Sequence, residues 1–269
     1  RFVDKEIMPY AEDWDEAGHI PIALWPKAAE VGLLGAGYPE QYGGMETDSW
    51  HSWIINEELS RVGVGGLSAS LMVHGIGLPP VINWGTEAMK AEIAPPVLRG
   101  ESWISLGITE PGGGSDVASL QTTAVRDGDH YIVNGSKTYI TGGMRANYVS
   151  TAVRTGGDGA TGVSMLLIPT DAEGFSRTAL DKKMGWWASD TATLYFDNVR
   201  VPVSNLIGQE NQGFRVIMTN FNSERMGMAA AMEAFGRVCL EEAVNWARER
   251  QTFGKRLADH QVIRHKIAM

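Results

Sequence analysis

Glu224 is the residue whose setting most invites chemistry. It stands in NFNSERMGMAAAMEAFG, Asn220 to Gly236, a run dominated by Ala, Met and Phe. A carboxylate on an apolar surface is desolvated, and its pKa rises toward neutrality, where a general base works best. The competing reading is structural. A Glu in the first turn of a helix, just after a capping Asn222, gains roughly 0.3–1 kcal/mol from the helix dipole. A second chemically suggestive stretch is ITEPGGGSDVASL, Ile108 to Leu120. Its consecutive glycines leave backbone N–H groups free beside the hydroxyls of Thr109 and Ser115, which suits a flat or anionic ligand at close range. A P-loop is excluded, because Asp116 follows Ser115 and no Gly-Lys-Ser/Thr ending is present. The glycine spacing, preceding parallel strand and following helix of the dinucleotide fingerprint are also missing. Taken alone, the stretch also reads as an ordinary glycine turn.

Three kinds of element must position these residues. Apolar residues at three- and four-residue spacing mark helices in PIALWPKAAEVGLL and DSWHSWIINEELSRV. In AMKAEIAPPVLRG, Pro95-Pro96 and Gly100 are expected to stop or redirect a helix. From Trp103 to Gly208 the pattern becomes strand-like. HYIVNGSKTYIT carries Asn134-Gly135, which predicts a hairpin turn, and NYVSTAVRT, GVSMLLIPT and TATLYFDNVRVP follow. Some six or seven strands without intervening helices predict an antiparallel barrel or sandwich. A long helix is expected from about Asn222 to Arg250, with Met228, Met232, Phe235, Cys239 and Trp246 as its buried stripe. QTFGKR breaks it at Gly254, and a further helix begins near Ala258. The expected fold class is α+β: an N-terminal helical domain (1–102), a middle antiparallel β domain (103–208) and the first part of a C-terminal helical bundle (209–269). The chain opens on Arg1 and stops at Met269 within a helical pattern, so it reads as part of a longer protein.

Composition removes several function classes. A net charge of -9 argues against a nucleic-acid binder. The hydrophobic fraction of 43% is that of a globular protein, and no apolar run reaches the ~20 residues of a membrane span. The lone cysteine, Cys239, excludes an internal disulfide framework and suggests a reducing compartment; it reads as a buried, inert thiol. His260 and His265 are off the i, i+4 register of a helical metal pair, and no His-Glu-x-x-His occurs, so no metal site is assigned. No Gly-x-Ser-x-Gly elbow occurs either. His74 reads as a packed helical residue.

Seven stretches occur in order: YPEQYGG from Tyr38, ITEPGGGSDV from Ile108, YIVNGSKTYITGG from Tyr131, SDTATLYFDNVRVPVSNLIG from Ser189, QGF from Gln212, NSERMGMAA from Asn222 and RQTFGKRLADHQ from Arg250. Together they resemble the acyl-CoA dehydrogenase family over essentially the whole chain, and the family's α–β–α order agrees with the composition shifts. The resemblance implies an FAD enzyme that oxidises an acyl-CoA thioester to its trans-2-enoyl-CoA. It implies that Leu106, Ile108, Thr109, Gly114 and Ser115 face the isoalloxazine or its ribityl chain. Tyr139, where the family more often has Trp, and Thr141 would pack on and hydrogen-bond the ring. Arg250 would meet the FAD pyrophosphate, with Thr252, Phe253 and Gln261 following at the family spacing and reaching the flavin of a neighbouring subunit. A solvated basic helix end is the alternative for Arg250 and Lys255, but the dipole does not account for Phe253-Gly254.

The resemblance implies that Glu224 occupies the base position of isovaleryl- and long-chain-type members, the other known location lying beyond Met269. Ser115, Asn222 and Arg225 are CoA-side contacts by position. A homo-oligomer, tetramer or dimer, and an electron-transfer flavoprotein as acceptor are also implied. The bacterial cytoplasm or the mitochondrial matrix are the implied locations, the cytoplasm favoured. One departure is Trp187 in GWWASDT, where the family often has Arg. Leu78 and Trp84 lie where relatives set the depth of the acyl pocket. Two other readings stay open: a related flavin oxidase or monooxygenase, and a non-catalytic acyl-CoA- or flavin-binding subunit.

Overall fold

The computed structural model describes residues 1–269. Helices come first: α1 (Ala11–Ala17), α2 (Leu24–Glu30), α3 (Ser49–Ser60), α4 (Gly65–Leu71), α5 (His74–Gly77), α6 (Pro79–Trp84) and α7 (Glu87–Leu98). Asp48 caps α3 by accepting from the N–H groups of Trp50 and His51. Contrary to expectation, α7 runs through Pro95-Pro96. The two prolines forfeit two backbone bonds, and the burial of Ile93, Ala94, Val97 and Leu98 offsets the loss. The stop is Gly100, in the left-handed region at φ 71°. No single helix is long and apolar enough to cross a membrane.

Eight strands follow: β1 (Ile104–Gly107), β2 (Thr123–Asp127), β3 (His130–Thr141), β4 (Tyr148–Arg154), β5 (Val163–Pro169), β6 (Phe175–Ala179), β7 (Thr191–Pro202) and β8 (Leu206–Ile207). They form one sheet in the order β6-β7-β3-β2-β4-β5-β8, with β1 also on β4. The sheet is mixed rather than purely antiparallel, because β1 and β2 both run parallel to β4. β5 pairs with the whole of β4. β1 and β2 therefore share β4's other edge, Ile104–Gly107 against Tyr148–Thr151 and Thr123 against Arg154. The glycine-rich stretch is the excursion between these two halves of one sheet position.

The expected hairpin at Asn134-Gly135 does not form. β3 is one continuous strand, and Gly135 marks a register shift against β7. Its φ is 144°, and a Cβ there would meet the Thr122 side chain at 2.6 Å, so glycine serves close approach rather than a turn. The β2–β3 turn falls instead at Gly128-Asp129, with Gly128 at φ 62°.

The chain then enters α8 (Gly213–Glu249), 37 residues and about 55 Å long. It starts well before the expected Asn222. Gly213 lets the helix end press on β5, since a Cβ would lie 2.4 Å from the Ser164 carbonyl carbon. Glu224 is thus in the body of the helix, and Asn222 is an exposed mid-helix residue, not a cap. The expected buried stripe is also corrected. Met228, Met232 and Trp246 are exposed, as is Cys239, whereas Ala230, Ala234 and Ala247 are buried. Periodicity identified an apolar surface, but the residues that α8 buries beyond Asn220 are all alanines, and α3 is the helix's main neighbour. After α8 come a two-stranded ribbon, β9 (Gln251–Thr252) and β10 (Lys255–Arg256), and α9 (Gln261–Ala268).

Three apolar clusters hold these layers. One joins Leu78, Val81 and Ile93 of the helices to Ile104 and Met165 of the sheet and to Val216 and Ile217 of α8. A second lies within the sheet around Tyr131, Val149 and Leu194. The third fills the N-terminal helices around Ile7, Trp25 and Leu67. Leu78 is fully buried in the first cluster, and Trp84 lies beneath the Arg215 guanidinium at 5.3 Å.

Candidate active site

The residues of the glycine-rich stretch and of the end of β3 come together on one ledge. Ser105 Oγ donates to the Thr141 carbonyl (2.8 Å), and the Thr138 N–H donates to the Thr109 carbonyl (2.8 Å), tying the β1 end to β3. Leu106 is half-buried beside them, and Gly114 lies against the Thr109 side chain. Ser115 is exposed at the loop's rim. Ile108 turns its side chain into the core and leaves only its backbone at the ledge. Tyr139 sits at a second register irregularity of β3, at φ 59°, and is 66% exposed. A non-glycine residue in the left-handed region is strained, and strain of this kind gathers at functional sites.

Sequence reasoning missed what anchors this loop. Glu110 and Lys137 form a buried ion pair at 2.7 Å, Lys137 being completely enclosed. Lys137 Nζ also donates to the Ile108 carbonyl (3.1 Å). The Glu110 carboxylate accepts from the N–H groups of Thr122 (2.8 Å) and Gln121 (2.6 Å). One carboxylate therefore ties the start of the loop to its end. Burial works against its charge, yet Lys137 and these hydrogen bonds hold it below the usual carboxylate value. Burial pushes Lys137 down to about 8 against the pull of Glu110. A lysine between buried strand residues was the available signal, because a buried lysine requires a partner.

Glu224 approaches from α8. Burial pushes its carboxyl from 4.5 up to about 7, against the lowering effects of the Arg225 charge and a hydrogen bond from Asn220. Asn220 Nδ2 donates to Glu224 Oε1 (2.6 Å) and to the Ile76 carbonyl (3.1 Å) on α5. The next carbonyl, Gly77, accepts from Ser150 Oγ (2.7 Å), and Ser150 stands opposite Leu106 in the β1–β4 pairing. Gly77 itself rests on the Ile104 backbone, where a Cβ would come within 2.6 Å. α5 thus links the carboxylate to the ledge. Asn222 and Arg225 are exposed, with Arg225 donating to Asn222 Oδ1 (3.2 Å) and lying over the Phe221 ring. Two concavities, of about 360 and 390 Å³, lie away from Glu224, one among the N-terminal helices and one beside Trp84 and Arg215.

The remaining candidates are elsewhere. Arg250 follows the last residue of α8, about 39 Å along the axis from Glu224 at 1.5 Å per residue. It is exposed above the Trp246 ring. Phe253 and Gly254 form the β9–β10 turn, both in the left-handed region, and Phe253 is 97% exposed. Thr252 Oγ1 contacts His260 Nε2 at 3.3 Å, and Gln261 is exposed at the start of α9. His74 is buried with Nε2 on the Leu34 carbonyl (2.9 Å), a packed residue, and burial pushes it down to about 4. Trp187 is half-exposed and donates from Nε1 to the Lys183 carbonyl (2.9 Å).

A helical layer, a mixed sheet carrying a glycine-rich ledge, and a long helix bringing up a desolvated carboxylate define a class. Residues 1–101, 105–199 and 211–269 match the N-terminal, middle and C-terminal domains of acyl-CoA dehydrogenase, and the chain belongs to this FAD-dependent family. It is 41% identical over 282 residues to acyl-CoA dehydrogenase AFT10-1 of Alternaria alternata, covering 99% of this chain and 65% of that relative's length. Among solved structures it is similar to a probable acyl-CoA dehydrogenase from Mycobacterium abscessus (TM-score 0.96, 49% identity, 99% of this chain and 71% of that one). It is also similar to a glutaryl-CoA dehydrogenase from Mycobacterium smegmatis in complex with FADH2 (TM-score 0.91, 30% identity, 99% and 68%).

The ledge fits a flavin. Tyr139 offers an open aromatic face to a planar ring. Gly112 and Gly113 have open space where a Cβ would stand.

Proposed function

We propose that the full-length protein dehydrogenates an acyl-CoA thioester to the trans-2-enoyl-CoA. The observation that carries this reading is Glu224, a carboxyl raised to about 7 and linked through α5 to the glycine-rich ledge. Glu224 takes the substrate's α-proton onto its carboxylate, and its raised basicity near neutral pH suits that task. Bound FAD supplies the acceptor, at N5, for the hydride that leaves the β-carbon. Leu106, Ile108, Thr109, Gly114 and Ser115 line the cofactor, Ile108 through its backbone. Tyr139 stacks on the ring and Thr141 hydrogen-bonds it. Ser115, Asn222 and Arg225 contact the CoA portion.

The distance between Glu224 and Arg250 supports a division of labour between subunits. In this reading Arg250, Thr252, Phe253 and Gln261 serve the FAD of a neighbouring copy, so the protein works as a homo-oligomer, dimer or tetramer. We further propose the division 1–102, 103–208 and 209–269, an electron-transfer flavoprotein as acceptor, and the bacterial cytoplasm or the mitochondrial matrix as location, the cytoplasm favoured. Anaerobic titration of the FAD-loaded full-length enzyme with acyl-CoAs of varied length and branching tests the reaction, since flavin bleaching identifies the substrate. Glu224→Gln is expected to slow bleaching by about 100-fold or more. Bleaching at the wild-type rate in that variant would sink the assignment.

A further inference from the structure

Asn220 is one of the few buried polar residues of α8, and the chemistry just described does not use it. It lies one helical turn before Glu224, on the same face. Its amide nitrogen donates to two groups, Glu224 Oε1 at 2.6 Å and the Ile76 carbonyl at 3.1 Å. The carbonyl can only accept, so the amide is locked with its NH2 toward both partners. In that orientation Asn220 donates to the ionised carboxylate and has no acceptor to offer the protonated form. The bond therefore favours the state that removes a proton.

The same amide fixes where the carboxylate stands. Ile76 and Gly77 offer adjacent carbonyls, one held by Asn220 of α8 and the other by Ser150 of β4. Ser150 is the register partner of Leu106. Two side-chain-to-backbone bonds thus connect Glu224 to the strand beneath the ledge.

We propose that Asn220 is a positioning residue for proton abstraction: it holds the Glu224 carboxylate ionised and at a fixed distance from the ledge, using the Ile76 carbonyl as its anchor. The proposal rests on the reading of Glu224 as the base. Arg225, on the same helix, also favours the ionised carboxylate through its charge, but it is exposed and donates to Asn222, so Asn220 alone bonds the carboxylate directly. From α5 the only titratable group is His74, buried and bonded to the Leu34 carbonyl. From α3, Asn56 lies near Gly227, and Glu57 is paired with Arg237 at 2.8 Å. α6 carries no titratable residue.

The test uses the FAD-loaded full-length enzyme and two variants, Asn220→Ala and the isosteric Asn220→Asp. The carboxyl signal of Glu224 is isolated by infrared difference spectroscopy, subtracting in each background the spectrum of the matching Glu224→Gln protein. Its midpoint is expected to rise by about one pH unit or more in Asn220→Ala, the loss of a hydrogen bond to a charged group. It should rise further in Asn220→Asp, where a second carboxylate replaces the donor. The acidic limb of the flavin-bleaching rate should move with it. At a pH one unit below the new midpoint the rate falls about ten-fold, and part of it returns at higher pH, with KM little changed. A Glu224 midpoint that stays at its wild-type position in both variants would overturn the proposal. Glu224→Gln bleaching its flavin normally would overturn the function it rests on, and that result is read without any Asn220 variant.

Discussion

Replacing Glu224 with Gln should make the protein more stable at alkaline pH and leave it nearly unchanged at acid pH. The Glu224 carboxyl is raised from 4.5 to about 7 by burial. Unfolded, it ionises above about 4.5; folded, it keeps its proton until about pH 7. Between these values the folded state binds more protons than the unfolded state, so this residue's contribution to stability falls as pH rises. It is fully present below the unfolded value and has gone once the folded carboxyl ionises. The interval corresponds to roughly 3 kcal/mol at 1.36 kcal/mol per pH unit. Residual solvent contact at this half-buried carboxylate reduces that to about 1–2 kcal/mol. Gln keeps the oxygen that accepts from Asn220 but never ionises. Urea denaturation of both proteins at pH 5 and pH 8 should therefore show Glu224→Gln gaining about 1–2 kcal/mol over wild type between the two. A difference that does not change with pH would mean that Glu224 is not desolvated, and the case for a base tuned to neutrality would go with it.

Lys137→Met removes the only cation beside buried Glu110 and should cost about 3–5 kcal/mol in chemical denaturation; a cost under about 1 kcal/mol would show that the pair is not a structural anchor. Tyr139→Gly relieves a left-handed tyrosine without emptying any core, so stability should rise by about 1 kcal/mol. Its affinity for FAD, measured by fluorescence titration of the apoprotein, should fall, and unchanged affinity would exclude Tyr139 from the cofactor site. Gly213→Ala forces a methyl against the Ser164 backbone and should lower stability by about 1–3 kcal/mol, detected as a reduced Tm.

Much of the architecture was legible because periodicity changes along the chain. The helical spacing of residues before Trp103 and the β-rich runs after it match the observed layers. Individual boundaries were less accessible. Asn134-Gly135 has the composition of a turn, yet becomes a bulge because Thr122 of the neighbouring segment lies too close for any side chain at 135. The long helix expected from about Asn222 begins at Gly213, where the missing side chain lets the helix end pack on β5. The exposure of Met228, Met232 and Cys239 follows from which neighbour faces α8.

The site divides in the same way. The sequence by itself determined the chemical inventory: a carboxylate on a Met- and Ala-rich helix, a glycine-rich loop with hydroxyls, an aromatic followed by Thr141, and an arginine before Phe253-Gly254. These are local, because side-chain type and spacing are written residue by residue. Only the tertiary structure decided which of them meet. It joined Glu110 to Lys137 across 27 residues and Asn220 to Ile76 across 144, while carrying Arg250 away from Glu224 along one helix. Such contacts depend on which surfaces pack, and a desolvated carboxylate is a property of that packing rather than of glutamate.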